Sequence, residues 1–378
     1  STHSTAALIM LYHDHFHKET ILYSLPCASF GYVMVKTLGV GGFGAVHKCV
    51  ALDTKELVAL KIVKKEYAQY GKREVRFLER LRKLDPHKNN LVLFNRHLLH
   101  NETFMLEFEM LNMTIDDLIM SCARPLHLSE IQVITQQMLV ALNALRSRRI
   151  VHADIKPDNI MLVNHKLQPL KVKLIDFGMA HTVAELSLGD KIQYLSYRAP
   201  EVLLGLHLNE AIDMWALGCV MADMLLGTDL FTPSCEFDRL HTACKRCRNR
   251  GLVTTVTCKF TSLDDIVKTR PNTTENVDTQ AFLSLLKQMM EIDPEKRIIP
   301  SKALLHPFIS MKDFPSESNY NPDLSSACLT TQRLSRSSTD NLEVANQKFI
   351  QEQNATPVID IYIFIYDSTT FQVYNLCT

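Results

Sequence analysis

Apolar and polar residues first alternate with a period of two in Tyr32-Val33-Met34-Val35-Lys36-Thr37-Leu38-Gly39, the spacing of a half-buried strand. After a glycine-dense turn, Val58-Ala59-Leu60-Lys61 reads as another strand, and Phe104–Met110 as a later one. Between them, the amphipathic run Lys72–Leu84 predicts a helix. A longer helix is predicted from Leu128-Ser129-Glu130-Ile131-Gln132, where Ser129 and Gln132 have the spacing of a capping box. Ile131, Ile134, Met138, Leu142 and Leu145 then recur at helical spacing and mark its buried face. Ala211–Gly218 opens a helix that is apolar nearly all round, so it belongs in the centre of a core. Pro300–Leu305 carries a further helix start.

The pattern breaks down at both ends. Residues 1–31 are mixed apolar and His-rich, with no cleavable leader pattern. The alternating histidines of His13-Asp14-His15-Phe16-His17 read as a solvated tail rather than a metal site. Residues 316–340 are rich in Ser, Thr and Asn, a composition that cannot bury enough apolar surface to fold alone. Val358–Tyr366 turns apolar and β-prone again, and two readings stay open: an added edge strand or an aggregation-prone tail.

Composition narrows the class. A chain of 378 residues exceeds one small core, so two packed lobes plus tails are expected. A formal net charge of zero argues against a nucleic-acid surface as the main business. No uninterrupted apolar run reaches the roughly 18 residues of a membrane span. The ten cysteines form no disulfide-like framework, and Cys49 and Cys219 sit in apolar runs, as expected of reduced thiols in cytosol or nucleus. Cys244-Lys245-Arg246-Cys247, with Cys235, His241 and Cys258 nearby, offers one tight pair where zinc needs four ligands, so a basic surface is the better reading. The N-x-S/T patterns at Asn101, Asn112, Asn272 and Asn354 lack a secretory signal and carry no weight.

Candidate chemistry concentrates between Val151 and Gly178. The run V-H-A-D-I-K-P-D-N-I-M-L-V places Asp154, Lys156 and Asn159 within six positions. A β-rich run then leads to a second acid in K-V-K-L-I-D-F-G, at Asp176. Phosphoryl transfer needs such a set: a carboxylate to orient a hydroxyl, a Lys to balance the moving charge, and Asn plus Asp to hold magnesium. Upstream, Gly39-Val40-Gly41-Gly42-Phe43-Gly44-Ala45-Val46 lets backbone N–H groups approach phosphates with no Cβ in the way. That loop is followed by a strand rather than a helix, which counts against a dinucleotide fold. Lys61 is the strand Lys suited to the α- and β-phosphates. Glu74, thirteen positions on, is its best partner, since Glu79 falls off the Glu74 face of a helix.

These motifs, in this order, resemble the eukaryotic protein kinases over roughly residues 32–308. The finer resemblance is to the homeodomain-interacting protein kinases of the CMGC group, through His152-Ala153-Asp154, the K-P-D-N-I-M-L-V run and the stretch around Asp213-Met214-Trp215. It implies an α+β, two-lobed protein kinase fold, with a small antiparallel sheet lobe holding one helix (about 32–108) and a larger, mainly helical lobe (about 112–308). An N-terminal extension (1–31) and a tail (309–378) flank it. It implies Ser/Thr phosphorylation with ATP and Mg²⁺, often before Pro, by a monomeric catalytic domain working in nucleus or cytoplasm. Substrates would be proteins, transcriptional regulators among them, with no direct nucleic-acid or membrane partner. Asp154 is the expected base, Lys156 the charge-balancing residue, and Asn159 and Asp176 the metal ligands. Leu38, the 39–44 loop, Ala45, Val46, Ala59, Phe108, Glu109, Leu111, Met161 and Ile175 would line the nucleotide, with Glu109 and Leu111 offering backbone groups to the purine edge. Asp213 should bind the backbone near His152, and Arg297 of I-D-P-E-K-R should pair with Glu201 of A-P-E.

The sequence departs from the family in the segment before Arg198. Lys191 replaces a Tyr that the family phosphorylates, Leu195 a phosphate-binding Arg, and Tyr194 a Ser or Thr that touches the catalytic Asp. Ala153 is shared with that family's H-A-D and stands where most kinases carry the phosphate-reading Arg of H-R-D. Activity independent of segment phosphorylation is therefore expected, with Lys191 tethering the segment to Glu185 or Asp190. The region from about Thr228 to Gln280 is shorter than the family's insert-bearing counterpart. A competing reading keeps the fold as an interaction protein without turnover, although every catalytic position holds a competent residue. A small-molecule kinase is disfavoured by the complete A-P-E and D-M-W motifs.

Overall fold

The computed structural model describes residues 21–24, 31–100, 102–122, 124–231, 262–268, 277–310, 362–367 and 370–375. The His13–His17 run, the cysteine and basic cluster of 235–258, the Ser/Thr-rich stretch, and the acceptor patterns at Asn101, Asn272 and Asn354 lie outside these residues. The chain divides into two compact units, one of residues 1–75, 93–110 and 336–378, the other of residues 76–92 and 111–335.

The first unit is built on an eight-stranded sheet. Its strands are β1 (Ile21–Ser24), β2 (Gly31–Val40), β3 (Gly44–Ala51), β4 (Leu57–Val63), β5 (Phe94–His100), β6 (Thr103–Glu109), β11 (Tyr362–Asp367) and β12 (Thr370–Asn375). Their order is β12-β11-β1-β2-β3-β4-β6-β5. All neighbours run antiparallel except β1 and β11, which pair in parallel through Leu22 and Ile363. From Tyr362 on, the β-prone stretch near the C-terminus is β11, which pairs with β12 as a hairpin and extends this sheet.

Alternation explains the sheet's inner face. Tyr32, Met34, Cys49, Ala51, Val58, Leu60 and Met105 form one buried apolar cluster. Burial pushes the Cys49 thiol up to about 12, with the nearby Glu107 charge adding to the effect, so this thiol stays protonated. A polar cluster closes the same region. Glu107 accepts from Tyr32 Oη, from Arg96 Nε at 2.7 Å and from Asn95 Nδ2 at 2.9 Å. Arg96 also forks onto both carboxylate oxygens of Asp53.

The second unit is mainly helical. Besides the end of helix α1 (Ala68–Leu81), it contains α2 (Ile115–Ser121), α3 (Leu128–Ser147), α4 (Ala211–Leu226) and α5 (Val277–Met289). Two short antiparallel pairs accompany them: β7 (Ile150–Val151) with β10 (His181–Thr182), and β8 (Ile160–Asn164) with β9 (Gln168–Leu174). The predicted stripe of α3 is buried throughout, at Ile131, Ile134, Met138, Leu142 and Leu145. In α4 every residue from Ile212 to Leu225 is buried, as its all-round apolar sequence requires. Leu and Ile side chains in such places contribute roughly 1.5–3 kcal/mol each on leaving water.

The start of α3 corrects the sequence reading. The helix is capped from His127, whose N–H donates to Glu130 Oε2 at 2.7 Å, and not by Ser129 with Gln132. Arg124 grips both Glu130 oxygens at 3.0 Å, which fixes that carboxylate in its capping position. Gln132 instead donates to the Phe308 carbonyl at 2.8 Å.

Candidate active site

The glycine-rich turn belongs to the first unit. Gly39 and Val40 end β2, Gly44 opens β3, and Gly41 N–H donates to Gly44 O at 2.8 Å to close the turn. Leu38, Val40 and Phe43 are exposed there. Gly44 is required by close approach, because a Cβ at this point would overlap the Ile62 carbonyl of β4. Beyond the turn, Phe43 packs on Tyr70 with ring centroids 4.4 Å apart and on Tyr67 at 5.3 Å. The Lys64 N–H also donates to Phe43 O at 2.9 Å.

Register then aligns the rest of this unit's candidates. Val46 lies opposite Gly39 on one side and Lys61 on the other, Ala45 lies opposite Ile62, and Ala59 lies opposite Phe108. Lys61 meets the Glu74 carboxylate twice, at 2.9 Å and 2.8 Å, with Glu74 almost wholly buried. Glu79 instead lies beside Arg82 at the surface. The Glu109 N–H donates to Leu93 O at 3.1 Å, so its donor is already engaged within the unit.

The second unit assembles the acids. Asp154 Oδ2 accepts from Asn159 Nδ2 at 2.8 Å and faces Lys156 Nζ at 3.0 Å. Asn159 Nδ2 also reaches the Asp154 carbonyl at 2.8 Å, which turns the amide oxygen of Asn159 away from Asp154. The Ile175 N–H donates to Asn159 O at 3.0 Å, stitching the strand end before Asp176 to this loop. Asp176 Oδ1 accepts from Gly178 N–H at 3.1 Å. Met161 lies in β8 and bridges Thr114, while Leu111 is buried ahead of α2.

Asp213, fully buried, organises the loop from below. Its two oxygens accept from the consecutive N–H groups of His152 at 2.7 Å and Ala153 at 3.0 Å. Burial pushes the Asp213 carboxyl up, and the charge of His152 and these two N–H groups work against that rise. The bridge also holds Ala153 in the left-handed region, at φ 63°. A non-glycine residue persists there only when its surroundings over-determine it. His152 adds a contact to the Ile175 carbonyl at 2.9 Å and an edge contact to the Phe177 ring. Asp176, at φ 59°, is a second left-handed residue of the site.

The segment from Gly178 to Arg198 holds contacts that sequence reasoning missed. Glu185 pairs with Arg76, and Asp190 accepts from the Ser187 N–H at 2.8 Å. Both acids expected to meet Lys191 are thus engaged elsewhere. Gln193, buried and at φ 65°, donates to Ile212 O and accepts from Ala199 N–H. Arg198 donates to the carbonyls of Ile192 and Gln193, both at 2.9 Å. Arg297 forks onto Glu201 at 2.6 and 2.9 Å, fully buried, and its guanidinium lies over the Trp215 ring.

A fold with these elements and this loop is that of a protein kinase, and the comparisons agree. The protein kinase domain family matches residues 32–309, so the chain belongs to the protein kinase family. Among curated proteins, it is 36% identical over 342 residues to homeodomain-interacting protein kinase 1 of Mus musculus, covering 76% of this chain and 28% of that relative. It is 34% identical to the serine/threonine-protein kinase ppk15 of Schizosaccharomyces pombe, covering 80% of this chain and 66% of the relative. A solved crystal structure of a kinase domain shares the fold at a TM-score of 0.62 and 24% identity, covering 74% of this chain and 95% of that one. The chain therefore spans just over a quarter of the mouse relative's length. Among the described residues no helix is long and apolar enough to cross a membrane.

Proposed function

We propose that this chain is an ATP-dependent protein serine/threonine kinase, transferring the γ-phosphoryl group to Ser or Thr hydroxyls of proteins. The observation that carries this reading is the Asp154 carboxylate, held by Asn159 and Lys156 at 2.8 and 3.0 Å. A carboxylate fixed in this way is poised to orient an acceptor hydroxyl and take its proton. Lys156 balances charge that grows on the transferring phosphoryl group. Lys61, oriented by buried Glu74, holds the α- and β-phosphates, and the glycine-rich turn presents N–H groups to the phosphates. Within the first unit, Leu38, Val46, Ala59 and Phe108 would offer apolar side chains to the purine, and Glu109 a backbone carbonyl to its edge.

The donor set also suits a hard divalent cation such as Mg²⁺. Asn159 points its NH₂ at Asp154, which leaves its amide oxygen for a cation, and Asp176 supplies a carboxylate. When bound, Mg²⁺ neutralises phosphate charge.

A preference for Ser or Thr followed by Pro is supported by Arg198. Its guanidinium takes the carbonyls of Ile192 and Gln193, so they offer poor acceptors to a substrate backbone N–H. Proline, which has no N–H, loses nothing there. The names of the homeodomain-interacting relatives support transcriptional regulators as substrates and the nucleus as workplace.

The test is a radiolabelled ATP assay with a generic basic protein, followed by matched Ser-Pro and Ser-Ala peptides. Wild-type turnover that falls at least about 10²-fold in Asp154→Asn, with nucleotide binding retained, supports the assignment. Nucleotide binding without turnover in the wild type would favour an interaction protein instead. Equal kcat/KM on the two peptides would overturn the Pro preference.

A further inference from the structure

Tyr194 occupies a position where the resemblance leads one to expect a short hydroxyl. Its side chain is 52% exposed, yet its ring is not free to wander. Gln193, just before it, is locked at φ 65° with its carbonyl on Arg198 and its side chain on Ile212 and Ala199. The buried ring of Tyr197 lies 6.3 Å behind it, centroid to centroid. Held in this way, the Tyr194 ring stands 5.4 Å from Lys156 Nζ. The same ammonium contacts Asp154 Oδ2 at 3.0 Å and is only 22% exposed.

A Ser or Thr hydroxyl at 194 would compete for the lone pairs of Asp154. An aromatic ring cannot do that at its face. It attracts the ammonium through its quadrupole instead, most strongly where water is partly excluded. We infer that Tyr194 is a positioning residue, whose ring face sets the Lys156 ammonium beside Asp154 in place of a hydroxyl hydrogen bond. This rests on the kinase reading of Asp154 and Lys156 given above. Because Lys156 answers charge that develops during transfer, the contact should act on kcat and leave the KM for ATP unchanged.

Three variants separate the ring face from mere bulk. Tyr194→Phe keeps the face, Tyr194→Leu keeps apolar volume without it, and Tyr194→Ala removes both. The expected result is wild-type kcat in Phe, and a fall of about three- to tenfold in Leu and Ala at constant KM for ATP, the scale of a partly desolvated cation–π contact. Melting temperatures of the four proteins control for folding. A second measurement does not depend on turnover: the rate of Lys156 acetylation by a water-soluble reagent, read by mass spectrometry. Lys156 should react faster in Leu and Ala than in wild type and Phe. Unchanged labelling and kcat in Tyr194→Leu, or loss of kcat in Tyr194→Phe, would overturn the inference. The expected labelling order in a wild type without turnover would support the contact while the kinase reading failed.

Discussion

Arg76 and Glu185 form an ion pair, Nη1 to Oε1 at 2.7 Å, that ties helix α1 to the segment following Gly178. Glu185 is also anchored on its own side, where its Oε2 accepts the Thr182 N–H at 2.8 Å. Burial pushes the Glu185 carboxyl up, but the Thr182 N–H and Arg76 outweigh it and hold the group below its ordinary value. Regulated kinases order this segment by placing a phosphate against basic residues. A carboxylate facing a helix arginine offers the same pairing of charges without phosphate, and charge reversal tests its effect on rate. This meshes with Ala153 and Leu195, which stand where phosphate-reading arginines are expected.

Basal activity should therefore survive removal of phosphate. Protein made in bacteria and treated with a broad phosphatase is expected to keep its initial rate within about threefold. Arg76→Glu should slow it, and Arg76→Glu combined with Glu185→Arg should recover most of the loss. The effect should stay under about tenfold, because a pair this exposed contributes only about 0–1 kcal/mol. Of the three hydroxyls near Arg198, Ser196 and Tyr197 are buried and Tyr194 is exposed. A rate loss above tenfold on dephosphorylation, with a phosphosite mapped to Tyr194, would contradict the expectation.

Nucleotide grip gives a second expectation. Lys61→Met should abolish turnover, and Asp176→Ala should remove the Mg²⁺ dependence of nucleotide binding, since both take away contacts to highly charged groups. A thermal-shift titration of ATP with and without Mg²⁺ reads the second directly. Undiminished Mg²⁺-dependent stabilisation in Asp176→Ala would remove Asp176 from the cation site.

The Arg297–Glu201 pair is a matter of stability. Both side chains are essentially inaccessible, and Arg297 also donates to the carbonyls of Glu291 and Ala211. Arg297→Met leaves the Glu201 charge buried and should cost about 3–5 kcal/mol. Glu201→Gln combined with Arg297→Met should recover part of that cost, in a denaturant titration followed as a double-mutant cycle.

Much of this was legible in the sequence because the chemistry lies in short, ordered runs. Asp154, Lys156 and Asn159 stand in one loop, and Lys61 announces Glu74 through strand and helix periodicity. Asp213 and Arg297 were legible only through family resemblance, since their partners lie far along the chain. The α3 cap was misread because Ser129–Gln132 and His127–Glu130 offer the same spacing. Arg124, outside both patterns, decides between them by gripping Glu130. Arg76 with Glu185, and Tyr194 with Lys156, carry no periodic signal at all. The Tyr194 contact follows from left-handed Gln193, and backbone strain of that kind is not written in residue type; Arg76 and Glu185 lie far apart along the chain. The tail was undecidable for another reason: a β-prone run declares itself a strand but not which edge it will join.

The Asp53–Arg96 fork sets an acid limit on the first unit. Two hydrogen bonds from Arg96, helped by the Thr54 backbone against a smaller burial cost, hold the Asp53 carboxyl down at about 2, from an ordinary 3.8. Its folded form therefore binds a proton less readily than its unfolded form. The stabilisation is complete above about pH 4 and is lost as the pH falls toward 2. At about 1.4 kcal/mol per unit, the full shift corresponds to roughly 2.5 kcal/mol, an upper figure given that both side chains retain some exposure. Acid unfolding of the wild type, followed by tryptophan-independent far-UV circular dichroism at fixed ionic strength, should steepen across this window. Asp53→Asn removes the titrating group, so its stability should be lower at neutral pH and fall less between pH 4 and 2. Parallel acid curves for wild type and Asp53→Asn would show that the fork carries no such linkage.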